Sequence, residues 1–393
     1  MASHAAPHLR ASDVVAVVLP PGPDWIPLVE AIWEAGAALL PVDSRLPAAE
    51  ASALLERARP TVLIDESGAR RNDGALAGAE LAAVVPTSGS GGQPHLVEIG
   101  RDAMHAAVTT SAEALGSAPS DGWLCCIPVA HIGGLLLLFR HAILGVPLTV
   151  HAVFDVEEMC HERAARFTSL VPTQLQRLLD AGCDLSMYRG ILVGGSALSP
   201  VTAERAESAH ARVIPTYGLT ESCGGVVYGG QPLAGTDVRV SAEGELHLRG
   251  PTLMRGYRFE PEATRAAFTD DGWLRTQDAG EFAPDGTVRV LGRVDDAILT
   301  GGEVVWPAEV ESVLADHPLV GEVAIGKRLD PEWGERVVAF VVPHSAGDPP
   351  DLDALREFTA GRLARFKAPR ELVLVEAIDR TALGKIRRDR LRG

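Results

Sequence analysis

Short apolar runs alternate with amphipathic stretches through the first part of the chain. VVAVVLP (14–20) has the unbroken apolar character of a buried strand. WIPLVEAIWEAGA spaces its apolar residues along one helical face, and LLPVD returns to a strand. The rhythm recurs. WLCCIPV (123–129) reads as a strand, and Gly133 and Gly134 lead into the helical LLLLFRHAIL. FTSLV (167–171) precedes a helix opened by Pro172 and closed by Gly182. GILVGG (190–195) is a strand running into glycines, after which Ser199 as N-cap and Pro200 at the first helical position start the next helix. Strands alternating with helices predict α/β architecture around parallel or mixed sheets.

From about residue 235 the pattern shortens. TDVRVSAEGELHLRG and GTVRVLGR alternate with period two and turn at glycines, which predicts a small β-rich subdomain over about 235–293. Beyond GRVDDAIL a second, smaller α+β pattern follows, so the boundary is placed between a 1–293 N-terminal domain and a 294–393 C-terminal domain. A length of 393 residues suits two or three such subdomains.

Composition removes some functions. A net charge of −16 argues against nucleic-acid binding, which needs a basic face. The most apolar stretch, IGGLLLLF, ends at Arg140 and His141, too short to cross a bilayer. The first residues lack the pattern of a signal peptide, so a cytoplasmic location is expected. Five cysteines (Cys125, Cys126, Cys160, Cys183, Cys223) show neither a C-x-x-C pair nor zinc spacing, which predicts reduced thiols. Cys125 and Cys126 read as small core residues, and His105, His141 and His151 as surface or packing residues.

The chemistry begins at PTSGSGGQPH (86–95). Its glycines let backbone amides approach a polyphosphate, and its order of residues is not that of a P-loop NTPase. Alone it reads better as a Gly-rich strand-to-turn connection. GGSALSP (194–200) and PTYGLTESCGG (215–225) then place glycines, an aromatic ring, a hydroxyl and a carboxylate at strand ends, where α/β sheets bind ligands. GWLRTQDAGEF supplies Asp278, LGRVDD supplies Arg293, and TALGKIRRDRL supplies Lys385 in a cationic run that by itself reads as a solvated face.

Together, from GAALLPVDSRLP (36–47) to GKIRRDRL, these segments resemble the adenylate-forming superfamily of acyl-CoA synthetases, peptide-synthetase adenylation domains and luciferases. Thr87 to His95 matches that family's T-S-G-T-T-G-x-P-K loop in length and frame, with His95 in place of the lysine. PVAHIGGLLLLFR, TSLVPTQLQRLL, YGLTESCGGVVYGGQPLAG and TGGEVVWPAEVESVL are most similar to the branch that ligates 2-succinylbenzoate to CoA in menaquinone (vitamin K2) biosynthesis, in its short actinobacterial form.

The resemblance implies ATP, Mg²⁺ and CoA as ligands and a small-molecule carboxylate as substrate. It implies adenylation followed by a swing of the C-terminal domain and thioester formation. Carried across, Thr87, Ser88, Gly89, Ser90, Gly91 and Gly92 hold the β- and γ-phosphates, with His95 as a neutral stand-in for the loop lysine. Gly195, Ser196 and Ala197 border adenine, and Tyr217 beside Gly218 stacks on it. Thr220 touches the α-phosphate, Glu221 holds the metal, and Asp278 and Arg293 bind ribose. Lys385 bridges the reacting groups in the first step, Asp295 is the hinge, and Gly302 lines the pantetheine tunnel. His131 borders the acyl pocket, and Arg140 either pairs a second substrate carboxylate or is structural. The rival reading within the fold is an enzyme of secondary metabolism that passes another acid to a carrier-protein thiol or a nitrogen nucleophile. A non-catalytic nucleotide sensor is disfavoured, because it has no use for Lys385. A homodimer stays open.

Overall fold

The computed structural model describes residues 8–78, 80–87, 94–380 and 386–391. The chain divides into two compact units, one of Met1–Gly195, Ala206–Arg239 and His247–Thr276, the other of Ser196–Arg205, Val240–Leu246 and Gln277–Gly393. Within the second unit the Ser199 hydroxyl donates to Asp316 Oδ1 at 2.9 Å.

The first unit holds two seven-stranded sheets. One runs in the order Gly256–Tyr257, Leu96–Gly100, Leu81–Pro86, Ala38–Pro41, Val14–Val18, Val62–Asp65, Gly68–Arg71. The other runs Gln231–Pro232, Gly224–Tyr228, Val213–Leu219, Gly190–Val193, Ala165–Leu170, Gly122–Cys125, Leu148–Val150. Central strands pair in parallel, as the strand–helix rhythm requires. Antiparallel strands close both edges of the first sheet and one edge of the second, whose other edge, Leu148–Val150, pairs in parallel. The helices Trp25–Glu34, Arg101–Leu115 and Ile132–Leu144 pack against the two sheets and one another. Their sequences explain this, because Val29, Ile32, Met104, Val108, Leu135, Leu138 and Phe139 are all buried. Burying each such side chain contributes about 1.5–3 kcal/mol, which outweighs the weak intrinsic preference of β-branched residues for helices.

Ser199 caps the Pro200–Ser208 helix as expected, its Oγ accepting from Thr202 N at 3.0 Å. The Ile132–Leu144 helix starts earlier than the apolar run suggests and includes both glycines, with His131 as the residue before it. In the second unit, Val320–Asp330 and Gly334–Pro343 form a long hairpin joined by Ile298–Thr300, Glu303–Val305 and Glu371–Leu374. Helices Pro307–Leu314 and Leu352–Ala360 supply Val310, Leu314 and Leu355 to the core of that sheet.

The expectation of five reduced thiols is corrected at one pair. Cys160 and Cys183 form a disulfide, with Cα atoms 4.9 Å apart. The helix Val156–His161 and the turn after Pro172–Asp180, where Gly182 has a φ of +67°, bring them together. That meeting is tertiary, and a separation of 23 residues carries no motif. Cys125, Cys126 and Cys223 are free and buried, the first two as core residues. Among the described residues no helix is long and apolar enough to cross a membrane.

Candidate active site

The segment carrying Tyr217, Gly218, Thr220 and Glu221 is held by hydrogen bonds and by a glycine requirement. Val213–Leu219 pairs antiparallel with Gly224–Tyr228, with a bulge between Tyr217 and Gly218. A Cβ on Gly218 would lie 1.9 Å from the Gly224 carbonyl oxygen, so only glycine fits there. Thr220–Ser222 then makes one short helical turn. The fully buried Ser222 hydroxyl accepts from Leu219 N at 2.8 Å and donates to the Gly224 carbonyl at 2.9 Å, which locks the turn. Cys223 ends it at a φ of +54°. Thr220, Tyr217 and Glu221 are half-buried.

Glu221 is fixed twice by the segment that follows residue 253. Its carbonyl accepts from Met254 N at 2.8 Å, and its Oε1 accepts from the Tyr257 hydroxyl at 3.0 Å. Tyr257 in turn stacks on the His95 ring, centroids 4.4 Å apart at 26°. His95 Nδ1 lies 2.7 Å from Glu260 Oε2, and Arg57 reaches the other oxygen of Glu260 at 3.2 Å. Thr87 N donates to the His95 carbonyl at 2.8 Å, which closes the base of the glycine loop. Thr87, His95, Tyr257 and Glu221 thus form one connected chain. Ser88, Gly89, Ser90, Gly91 and Gly92 lie outside the described residues, as does Lys385.

Asp278 and Arg293 are brought together. They face each other across the Leu274–Phe282 and Val288–Arg293 strands, with Arg293 Nη1 3.2 Å from Asp278 Oδ1. Arg293 also donates to Gln277 Oε1 at 2.7 Å, and Asp278 is buried. Gln277, like Cys223 and Phe259, is a non-glycine residue at positive φ. Each such residue costs roughly 1–2 kcal/mol.

Gly195, Ser196 and Ala197 are exposed just beyond the Gly190–Val193 strand, with Gly195 at a φ of +85°. Gly301 and Gly302, both at positive φ, make the two-residue turn between Ile298–Thr300 and Glu303–Val305, and Gly302 is exposed. Asp295 is exposed in the short turn Val294–Asp296. Its neighbour Asp296 is held by Arg388, which also grips Glu311 and the Ile325 carbonyl.

His131 is half-buried at the start of the Ile132–Leu144 helix. Burial alone would raise the carboxyl of Asp43, but the bidentate Arg45 guanidinium outweighs it and holds that carboxyl below the usual range, with His131 adding in the same direction. Arg140 is only 3 % exposed. It donates to Ser111 Oγ at 2.7 Å, lies 4.2 Å over the Trp123 ring, and reaches the Val108 carbonyl only at 3.4 Å. Its Nε has no hydrogen-bond partner, and no carboxylate among the described residues pairs with it. Burial pushes this guanidinium down to about 10.

Residues 2–80 and 65–258 match the family model of AMP-binding enzymes, and residues 309–385 match the AMP-binding enzyme C-terminal domain. The chain belongs to the AMP-binding enzyme family. It is 38% identical to the probable 2-succinylbenzoate–CoA ligase of Mycobacterium tuberculosis over 322 residues, covering 79% of this chain and 83% of that one. It is 30% identical to 2-succinylbenzoate–CoA ligase of Bacillus velezensis over 433 aligned positions, covering 98% of this chain and 88% of that one. The solved o-succinylbenzoate CoA synthetase of Bacillus subtilis, in complex with the acyl-adenylate intermediate OSB-AMP, superposes with a TM-score of 0.88 at 27% identity, covering 98% of this chain and 89% of that one. The same enzyme in complex with ATP and magnesium ion gives 0.87 at 27%, covering 97% and 90%.

Sequence reasoning missed Tyr257, Glu260 and Arg57. Tyr257 and Glu260 sit in MRGYRFEPEAT, where an aromatic follows a glycine directly after a basic residue. That signal was legible, but its partner Glu221 lies 36 residues away.

Proposed function

We propose that this protein activates 2-succinylbenzoate with ATP and transfers the acyl group to CoA, releasing pyrophosphate and then AMP. The names of the relatives support the acid and the acceptor. The observation that carries the chemistry is the Glu221 carboxylate, held through one oxygen by Tyr257 on a turn locked by Ser222. A hard oxygen donor of this kind fits Mg²⁺, which is typically bound through one or two carboxylates together with substrate phosphates. When bound, the ion supplies charge neutralisation to the phosphates.

A carboxylate is a poor electrophile, because its leaving group would be an oxide. In the first step a carboxylate oxygen bonds to the α-phosphorus, the bond from that phosphorus to the bridging oxygen breaks, and pyrophosphate leaves. In the second step the CoA thiol gives its proton to solvent, its sulfur bonds to the acyl carbon, the bond from that carbon to the oxygen of the phosphate breaks, and AMP departs. The protein's share is positioning and charge stabilisation. In this reading Thr87 and the loop amides hold the outer phosphates, Thr220 the α-phosphate, and Tyr217 beside Gly218 the adenine, bordered by Gly195, Ser196 and Ala197. Asp278 and Arg293 bind the ribose, whose vicinal hydroxyls suit a carboxylate and a guanidinium. Asp295 is the hinge, and Gly302, lacking a side chain in an exposed turn, leaves room for pantetheine. His131 borders the acyl group. Arg140, a buried cation without a carboxylate partner among the described residues, receives the carboxylate of the dicarboxylate substrate that is not adenylated. The enzyme works in the cytoplasm, where ATP and CoA are available.

Lys385 tests the two-step scheme. Lys385→Ala should nearly abolish pyrophosphate release from 2-succinylbenzoate and ATP while leaving thioester formation from presynthesised acyl-adenylate and CoA intact. Equal loss of both half-reactions would refute separate roles for the two steps. Absence of pyrophosphate release by the wild-type protein with 2-succinylbenzoate, alongside release with another acid, would refute the substrate.

A further inference from the structure

Tyr257 is placed more rigidly than packing requires. It sits on the edge strand Gly256–Tyr257, paired antiparallel with Leu96–Gly100 in the register Tyr257↔Val97. Its N–H donates to Thr264 Oγ1 at 2.8 Å. The next residue, Arg258, is 3 % exposed and spends its guanidinium on three fixed acceptors. These are the Ala58 carbonyl at 2.9 Å, Glu98 Oε1 at 2.9 Å and the Ala75 carbonyl at 2.7 Å. Arg255 N and Arg258 N donate to the Glu98 and Leu96 carbonyls, both at 2.8 Å. The backbone on both sides of Tyr257 is therefore pinned to the strand that follows the glycine loop. From this mount the ring stacks on His95, whose Nδ1 lies 2.7 Å from Glu260 Oε2.

The phenol ends on Glu221 Oε1. A hydroxyl donated to one carboxylate oxygen restricts both rotation of the carboxyl group and the choice of rotamer, so the second oxygen is directed. The backbone bond from Met254 to the Glu221 carbonyl fixes the other end of the same residue.

The geometry points to Tyr257 as a positioning residue that aims the Glu221 carboxylate, and through it the site for magnesium and the ATP phosphates. This rests on the reading of Glu221 as the metal-holding carboxylate. His95 is part of the device. Its ring supports the phenol by stacking, and its carbonyl accepts from Thr87 N.

The experiment compares Tyr257→Phe with Glu221→Gln in the full chain. Phenylalanine keeps the ring and its stack on His95 and removes only the hydroxyl. Binding of ATP without acid is followed by calorimetry as Mg²⁺ is raised, and the KM for the acid is measured separately. Tyr257→Phe should raise the Mg²⁺ concentration needed for half-maximal ATP binding by about fivefold, the worth of one ordinary hydrogen bond in a partly solvated site. It should leave the KM for the acid and the thermal midpoint close to wild type. Glu221→Gln should shift the Mg²⁺ dependence further. If Glu221→Gln shifts it and Tyr257→Phe does not, the phenol only packs and the inference is overturned. If neither shifts it, Glu221 does not hold the metal, and both readings fall. A Tyr257→Phe change confined to the KM for the acid would also overturn the inference.

Discussion

Replacing Arg140 by methionine separates a structural arginine from a substrate-binding one. Methionine has comparable reach and fills irregular space. The guanidinium, pushed by burial from 12.5 down to about 10, carries its charge at roughly 3 kcal/mol of cost to the folded state, at about 1.36 kcal/mol per pKa unit. Against this stand the charged hydrogen bond to Ser111, about 1.5–3 kcal/mol, and the desolvated contact with the Trp123 ring, about 2 kcal/mol. Ser111 Oγ is not orphaned by the change, because it lies 2.8 Å from the Tyr228 hydroxyl. The terms nearly cancel. Arg140→Met should therefore alter unfolding stability in urea by less than about 1.5 kcal/mol, whereas losing one partner of a true buried ion pair costs about 3–5 kcal/mol. The same variant should lower kcat/KM for 2-succinylbenzoate by about a hundredfold or more, the loss expected when a buried charge partner of a carboxylate is removed. For a monocarboxylate analogue lacking the carboxylate that Arg140 receives, wild type and variant should perform alike. Stability lost by more than about 3 kcal/mol, with an unchanged KM for the acid, would show that Arg140 serves the fold and not the substrate.

The thiols and the His95–Glu260 pair give further tests. Ellman's reagent should find no reactive thiol in the native protein, three after denaturation and five after reduction, while three in the native state would refute the burial of the free cysteines. Burial pushes Cys125 up to about 12 and Cys126 up to about 11, so above pH 9 the unfolded chain loses thiol protons that the folded chain keeps. Stability should fall through that window, by up to about 1.4 kcal/mol per pH unit per thiol, and Cys125→Ala should reduce the slope. Glu260 also changes what a loop lysine could do. With the pair's side chains 37% and 28% exposed, a lysine at 95 would be held by Glu260 with about 0.2–1 kcal/mol, so His95→Lys alone should change the KM for ATP by less than about twofold. His95→Lys with Glu260→Gln should lower it several-fold more, and a tenfold gain from the single change would show that Glu260 does not compete.

Much of the molecule was legible in one dimension because the physics there is local. The 3.6-residue period marked the Trp25–Glu34 helix, and an unbroken apolar run marked the Val14–Val18 strand, since both patterns are set within a few neighbours. Ser199 and Pro200 announced their helix by capping chemistry that spans three residues. The order of the glycine loop, YGLTES, Asp278, Arg293 and Lys385 marked the family, because each lies in a short segment with its own chemistry. Pairings between distant segments were decided only by the fold. Cys160 meets Cys183, His95 meets Glu260 across 165 residues, and Tyr257 reaches Glu221. None of these contacts has a spacing that a local rule could read. They depend on which strand lies beside which, as when Gly256–Tyr257 pairs with Leu96–Gly100, and that choice is made by burial of the whole sheet. Arg140 shows the same division. Its sequence neighbours announced a helix, but only the packed structure shows a buried cation with no carboxylate beside it among the described residues.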